Sequence, residues 1–260
     1  MSNFQTIVVE RAGGIACITL NRPEVMNAID QLMIHELIDV CRDLSESNEI
    51  RVVILTGAGK AFQAGADIAE ISQMTPLEIL HWNEGLVKVG GILESMPQPV
   101  IAAINGVAMG GGLEIALACT LRVASPKAKL ALPEVKLGLM PGAGGTQRLP
   151  RLVGKSRAAK IILTGETLSA EQALAIGLVD EIAKTEDCLV AAKRLAARIL
   201  KNSPIACRMA KDAMEVGLRL PLNEAIEYGQ KNLAICFSSE EMREGTSAFL
   251  EKRQPLFSTR

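Results

Sequence analysis

An α/β core followed by a helical C-terminal region is the fold class that this 260-residue chain predicts, and three observations predict it. Short apolar runs rich in Val and Ile alternate with amphipathic stretches as far as Ile182. From Asp187 onward the pattern is almost wholly helical, punctuated by Pro204 and Pro221. No fixed-period repeat and no low-complexity linker separates the two parts, so the helices are attached to the core rather than tethered beside it.

Each element has a local reason. Thr6–Glu10 and Ile15–Leu20 alternate apolar and polar residues across Gly13-Gly14, which predicts a hairpin. Asp30 is placed to cap an amphipathic helix reaching about Ser47. Val52–Thr56 reads as a buried strand followed by a loop, GAGKAFQAGAD, and Pro76 opens a helix to about Ser95. Val100–Ile104 is a second buried strand, followed by a helix after Gly112. Strand-like pieces at 121–124 and 129–132 precede a glycine-rich turn at 141–145 that leads into helices, and Leu178–Ile182 is a last short strand. The tail predicts helices over 187–201, 204–217, 221–237 and 239–252. Their apolar stripes (Ala191, Leu195, Ile199; Ile226, Leu233) require a docking surface on the chain's own core or on a neighbouring subunit.

Composition excludes several function classes. With 28 basic and 29 acidic residues the net charge is −1, so no global field attracts nucleic acid or an anionic membrane. Aromatic residues make up 3%, too few for base-stacking platforms. No apolar run approaches the roughly 20 residues that span a bilayer. The 48% hydrophobic content is rich for a lone domain and predicts oligomeric burial. Six cysteines stand in apolar contexts without a C-x-x-C, as small buried hydrophobes of a reducing compartment rather than disulfides or metal ligands. The N-terminus, MSNFQTIVVE, runs directly into a strand pattern, and the expected location is the cytoplasm.

Residues 99–120, PVIAAINGVAMGGGLEIALACT, carry the chemistry most clearly. Gly110, Gly111 and Gly112 stand where a helix begins, so bare N–H groups there admit a negative or developing-negative oxygen; close helix–strand packing is the other use of such glycines. Glu114 follows among apolar neighbours, and a second carboxylate, Glu134 in LALPEVKLGLM, has the same character. Two carboxylates in apolar settings suit a general acid and a general base, whereas ordinary ion pairing, for Glu134 with Lys136, is the competing reading. Upstream, FQAGADI at 62–68 places Ala64, Gly65, Ala66 and Asp67 as candidate substrate-binding residues, the small ones because a ligand could approach the backbone there, and Asp67 could also cap the next helix. Two such loops could each offer an N–H to one oxygen, an oxyanion hole. PGAGGTQR at 141–148 fits either an anion site or a tight turn. Phosphate-loop, dinucleotide and nucleophile-elbow patterns all fail on inspection. His35 and His81 lie in predicted helices without metal-ligand spacing, and the basic cluster Lys193, Arg194, Arg198, Lys201 reads as a solvated helix face.

The combination of AGAD (64–67), IAAINGVAMGGGLEIALAC (101–119), PE (133–134), PGAGGTQRL (141–149) and EGTSAFLEKRQPLF (244–257) resembles the crotonase, or enoyl-CoA hydratase, family along essentially the whole chain. The resemblance implies a crotonase-like spiral of strand–strand–helix units over residues 1–190 holding a CoA-thioester site. It also implies an α-helical trimerisation region over 191–260, giving a homotrimer or a dimer of trimers. It implies a thioester carbonyl held between the N–H groups of Ala64 and Gly111, Glu114 activating water, Glu134 supplying a proton to the α carbon, and Gly142 helping to hold the water. The 68–95 segment is expected to shape the acyl pocket. One departure is Thr120, where the family usually has Asp, which touches a structural contact rather than the chemistry.

The presence of both glutamates favours hydration of a trans-2-enoyl-CoA to 3-hydroxyacyl-CoA, with no metal and no cofactor apart from the coenzyme A of the substrate. Sibling reactions on the same scaffold are enoyl-CoA isomerisation and dehydration of a specialised hydroxyacyl-CoA. An RNA-binding relative is the alternative from another class, for which only the 193–201 cluster speaks.

Overall fold

A computed structural model describes residues 4–184 and 187–257. Strands β1 (Ile7–Ala12) and β2 (Ile15–Leu20) form the expected hairpin. Helix α1 (Gln31–Glu46) starts at Asp30, whose carboxylate accepts the Met33 N–H at 2.8 Å. Then follow β3 (Val52–Gly57), β4 (Ala61–Gln63), the single turn α2 (Ile68–Ile71) and α3 (Pro76–Ser95). The start of α3 is fixed by a reciprocal Thr75–Glu78 capping box with Pro76 at its first position. Next come β5 (Val100–Ile104), β6 (Val107–Met109), α4 (Gly111–Ala118), β7 (Leu121–Ala124) and β8 (Lys129–Ala131). A 3₁₀ turn, Glu134–Leu137, leads to α5 (Gly145–Val153), α6 (Lys155–Thr164), β9 (Leu168–Ser169), α7 (Ala170–Ala175) and β10 (Glu181–Ile182). The C-terminal helices are α8 (Cys188–Leu200), α9 (Pro204–Gly217), α10 (Leu222–Phe237) and α11 (Glu240–Leu250).

The strands fall into two sheets. One has the order β1-β2-β3-β5-β7-β10, parallel except for the first hairpin; the other has the order β4-β6-β8-β9, parallel except for its last pair. Successive turns of the chain place one strand in each sheet before a helix returns: β3 then β4, β5 then β6, β7 then β8. This is the strand–strand–helix spiral. The first strands β3 and β5 are almost wholly buried and mainly apolar, as parallel strands covered on both faces must be.

The main core packs α1, α3 and α4 against one face of the six-stranded sheet, with Phe62, Leu55, Ile104 and Leu113 fully buried in it. The opposite face of that sheet is covered by α8, whose Ala191, Ala192 and Ala196 pack on Val52, Ile54, Ile101 and Val123. Helix α8 therefore runs through the 190/191 boundary and serves as a layer of the core. Helices α9 and α10 form an antiparallel pair beyond it, attached where the buried Lys211 ammonium donates to the carbonyls of Glu94 and Met96 at the end of α3. Thr120 also has a definite contact: its hydroxyl accepts the Val100 N–H at 3.1 Å and so fixes the start of β5.

Candidate active site

The three glycines at the head of α4 do different work. Gly110 has φ +52°, a conformation that strongly favours glycine, and turns the chain out of β6 into the helix. At Gly112 an added Cβ would lie 2.2 Å from the Gln63 carbonyl oxygen, so helix and β4 touch backbone to backbone. Gly111 lies between them and faces the 64–66 loop: Ala66 N is 3.9 Å from where a Gly111 Cβ would sit. Both readings of the triplet are thus realised, close packing at Gly112 and an open N–H at Gly111.

The upstream donor is not the one expected. Ala64 N–H donates to the Met26 carbonyl at 3.2 Å, Gly65 N–H to Gln63 Oε1 at 3.0 Å, and Asp67 N–H to the Ile29 carbonyl at 2.9 Å. Ala66 N–H alone in this loop has no acceptor among the described residues, and the same holds for Gly111 N–H. The pair of open donors is therefore Ala66 and Gly111, and Ala64 is corrected to a lining residue. Gln63, fully buried, holds the loop by donating to the Gly65 carbonyl and accepting its N–H, both at 3.0 Å. Asp67 is likewise corrected: it does not line the cavity, but accepts the Ala69 N–H as helix cap and pairs with Arg22 at 3.3 Å.

Glu114, only 3% exposed, sits in the first turn of α4. Its Oε1 accepts two backbone N–H groups, from Ala143 at 2.8 Å and Gly145 at 2.7 Å. The glycine-rich turn at 141–145 is thus an anion site after all, and the anion is this side chain. Burial raises the carboxyl pKa, while the two N–H donors and the nearby Arg148 oppose the rise. Arg148, on α5, braces the turn by donating to the Ala143 carbonyl at 2.7 Å and pairing in a fork with Glu94 at 2.7 and 3.1 Å.

Glu134 opens the 3₁₀ turn across the cavity. Both of its carboxylate oxygens are buried without a hydrogen-bond partner, and no ion pair with Lys136 forms among the described residues. Burial first pushes its pKa up to about 7, with its own backbone N–H opposing the rise and the Glu114 charge adding to it. A buried carboxyl left unpaired is costly to the fold.

These groups meet in one cavity of about 680 Å³, lined by Ala64, Gly65, Ala66, Gly110, Gly111, Glu114, Glu134 and Gly142. Its apolar wall comes from α2 and α3 (Ile68, Ile71, Ile79, Leu80, Trp82, Leu86), within the expected 68–95 segment, and from Leu137, Leu139 and Met140. Gly142 N–H is open toward no acceptor among the described residues. Sequence reasoning missed Gln63, Asn83 and Arg148, because a polar residue on an amphipathic helix or at a strand end carries no distinguishing mark. Among the described residues no cluster of three His, Cys, Asp or Glu is placed to hold a metal ion. His35 and His81 are exposed on α1 and α3, bonded to Gln31 and to the Leu77 carbonyl. The 193–201 cluster lies on the outer side of α8 with Arg194 paired to Glu181.

Comparison with known proteins agrees with this geometry. The family model described as enoyl-CoA hydratase/isomerase matches residues 10–260. A short-chain-enoyl-CoA hydratase of Clostridium acetobutylicum is 40% identical over 96% of this chain and 97% of its own length. A crotonyl-CoA hydratase of Syntrophomonas wolfei is 38% identical over 98% of each chain. The crystal structure of an enoyl-CoA hydratase from Bacillus anthracis superposes with a TM-score of 0.95 at 40% identity, covering 98% of this chain and 100% of that one. With two carboxylates facing two open N–H groups in a spiral of this kind, and with relatives matching from end to end, the chain belongs to the enoyl-CoA hydratase/isomerase family.

Proposed function

We propose that the protein hydrates trans-2-enoyl-CoA thioesters to 3-hydroxyacyl-CoA, reversibly, with Glu114 and Glu134 as its acid/base pair. The observation that carries the assignment of roles is the asymmetry of the two carboxylates. One oxygen of Glu114 is anchored by two N–H groups, which favours its ionised form, whereas neither oxygen of Glu134 has a hydrogen-bond partner among the described residues and its pKa is raised to about 7. The N–H groups of Ala66 and Gly111 hold the thioester carbonyl oxygen and stabilise the negative charge it acquires. Glu114 takes a proton from water as the hydroxide oxygen bonds to the β carbon. Protonated Glu134 then gives its proton to the α carbon, and proton exchange returns the pair to its starting state. Gly142, which lines the same cavity, is assigned to help hold the water. Coenzyme A enters as part of the substrate, and the reaction needs no separate cofactor.

The same proposal extends to assembly and location. Leu218, Leu222, Phe249, Leu250 and Leu256 are each at least 74% exposed on or after α9–α11, which supports burial against further copies in a trimer or dimer of trimers. No described helix is long and apolar enough to cross a membrane. Six free cysteines, four of them buried, support a reducing cytoplasmic setting.

The test is the loss of conjugated-enoyl absorbance when the protein meets crotonyl-CoA. Rapid loss is expected, with turnover lowered by orders of magnitude in Glu114→Gln and Glu134→Gln while thioester binding persists. Absence of turnover on crotonyl-CoA and on longer enoyl chains would move the assignment to isomerisation or to a specialised hydroxyacyl-CoA.

A further inference from the structure

The carbonyls of the 142–145 turn are the less obvious half of the Glu114 anchor. A peptide unit carries a C=O and the following N–H on opposite edges of one plane, so holding the carbonyl aims the N–H. The Gly144 carbonyl accepts the amides of Gln147 and Arg148 at 3.0 and 2.7 Å, and the Gly145 N–H of the same unit points at Glu114 Oε1. The Gly142 carbonyl accepts Asn83 Nδ2 at 2.8 Å, and the Ala143 N–H of that unit donates to the same Oε1. The first of these units is fixed by α5 itself. Among the described residues, Asn83, from α3 and the cavity wall, is the one side chain holding the Gly142 carbonyl of the second. The orientation of its amide follows from the acceptor, since the opposite orientation would set two oxygens against each other.

We propose that Asn83 is a positioning residue for Glu114: by gripping the Gly142 carbonyl it aims the Ala143 N–H at the carboxylate. Donation to that carbonyl also polarises the peptide, strengthening the N–H on the other side. The charged groups that bear on Glu114 are Glu134 across the cavity and Arg148 on α5, the latter paired with Glu94 of α3. Strands β4 and β6, which also pack on α4, carry no charge. Asn83 therefore acts on the titration of Glu114 through the peptide, with no charge of its own.

The inference rests on Glu114 being the general base, and the test separates the two. Asn83→Leu removes the donor at nearly constant volume, and Asn83→Gln retains an amide. In Asn83→Leu we expect kcat on crotonyl-CoA to fall about tenfold, the kinetic equivalent of one ordinary hydrogen bond, with KM changed less than about threefold. The acid limb of the pH profile should move up by about one unit, with the limb near 7 unmoved. Asn83→Gln should recover much of both. Independently of turnover, carboxyl-carbon NMR of glutamate-labelled protein, with Glu114→Gln to assign the resonance, should show Glu114 titrating at higher pH in Asn83→Leu. An unmoved Glu114 titration, or a change confined to KM, overturns the proposal. A shifted titration in a protein that does not hydrate enoyl thioesters supports the positioning and overturns only the assigned reaction.

Discussion

Neither carboxylate oxygen of Glu134 has a hydrogen-bond partner among the described residues, and that has a consequence for stability as well as for catalysis. Its folded pKa, about 7, lies above the ordinary 4.5, so the native state binds the proton more tightly than the unfolded chain does. The contribution of this group is therefore complete below about pH 4.5 and is lost as the pH rises through 7. Glu134→Gln should accordingly melt higher than the parent at pH 8, and the gap should close toward pH 4.5. Thermal melts of the two proteins across that range measure it; a constant gap at all pH values would remove the titration from the explanation. In catalysis the same ionisation has the opposite reading. As the proton donor for hydration, Glu134 must be protonated, so kcat/KM for hydration should fall as pH rises through about 7, on the alkaline side of a rise set by Glu114.

At the scale of elements, the head of α4 is where one atom decides the packing. Gly112→Ala would drive a Cβ to 2.2 Å from the Gln63 carbonyl, a backbone atom of a fully buried strand that has nowhere to go. A loss of about 3 kcal/mol or more is expected, together with displacement of the open Gly111 N–H. Gly91→Ala, inside the C-terminal part of α3 with open space around its Cβ, should instead stabilise by about 0.5–1 kcal/mol. Denaturant midpoints of the two variants distinguish local packing from a general intolerance of alanine. The same region shows what the sequence could reveal. Buried strands such as Val100–Ile104, and the capped starts of α1 and α3, were legible because periodicity and capping chemistry are local. Strands β4 and β6 were not: each is three residues long, and Ala61–Gln63 becomes a strand only by pairing with Val107–Met109, 46 residues away. The carboxylates could be picked out as charges in apolar text. The choice of Ala66 over Ala64 could not, because it depends on Met26 already occupying the Ala64 N–H.

For the whole molecule, the distribution of apolar surface separates two kinds of helix. Helix α8 turns Ala191, Ala192 and Ala196 into the core, while α9–α11 leave Met214, Leu218, Leu222, Leu233, Phe237 and Phe249 each at least 59% exposed. Among the described residues of that group only Lys211, Asn232 and Ala248 are buried, and the two polar ones hold it to the core and to itself: Lys211 on the end of α3, Asn232 on Asp212 and the Met209 carbonyl. Exposed apolar surface on this scale is costly in water, at about 25 cal/mol for each Å² left uncovered, so association of copies through α9–α11 is the expected state. Sedimentation should give a mass of three or six times 27.8 kDa. Replacing Leu218 and Leu222 by glutamate should shift it toward monomer with the core fold retained by circular dichroism. The active cavity is coupled to this surface through Glu94, whose carboxylate holds Arg148 and stands 3.7 Å from Arg219 at the end of α9, and whose carbonyl accepts from Lys211. Monomerisation should therefore lower turnover by loosening the 143–145 turn that anchors Glu114. A fully active monomer would show instead that the anchor stands on α3 and α5 alone.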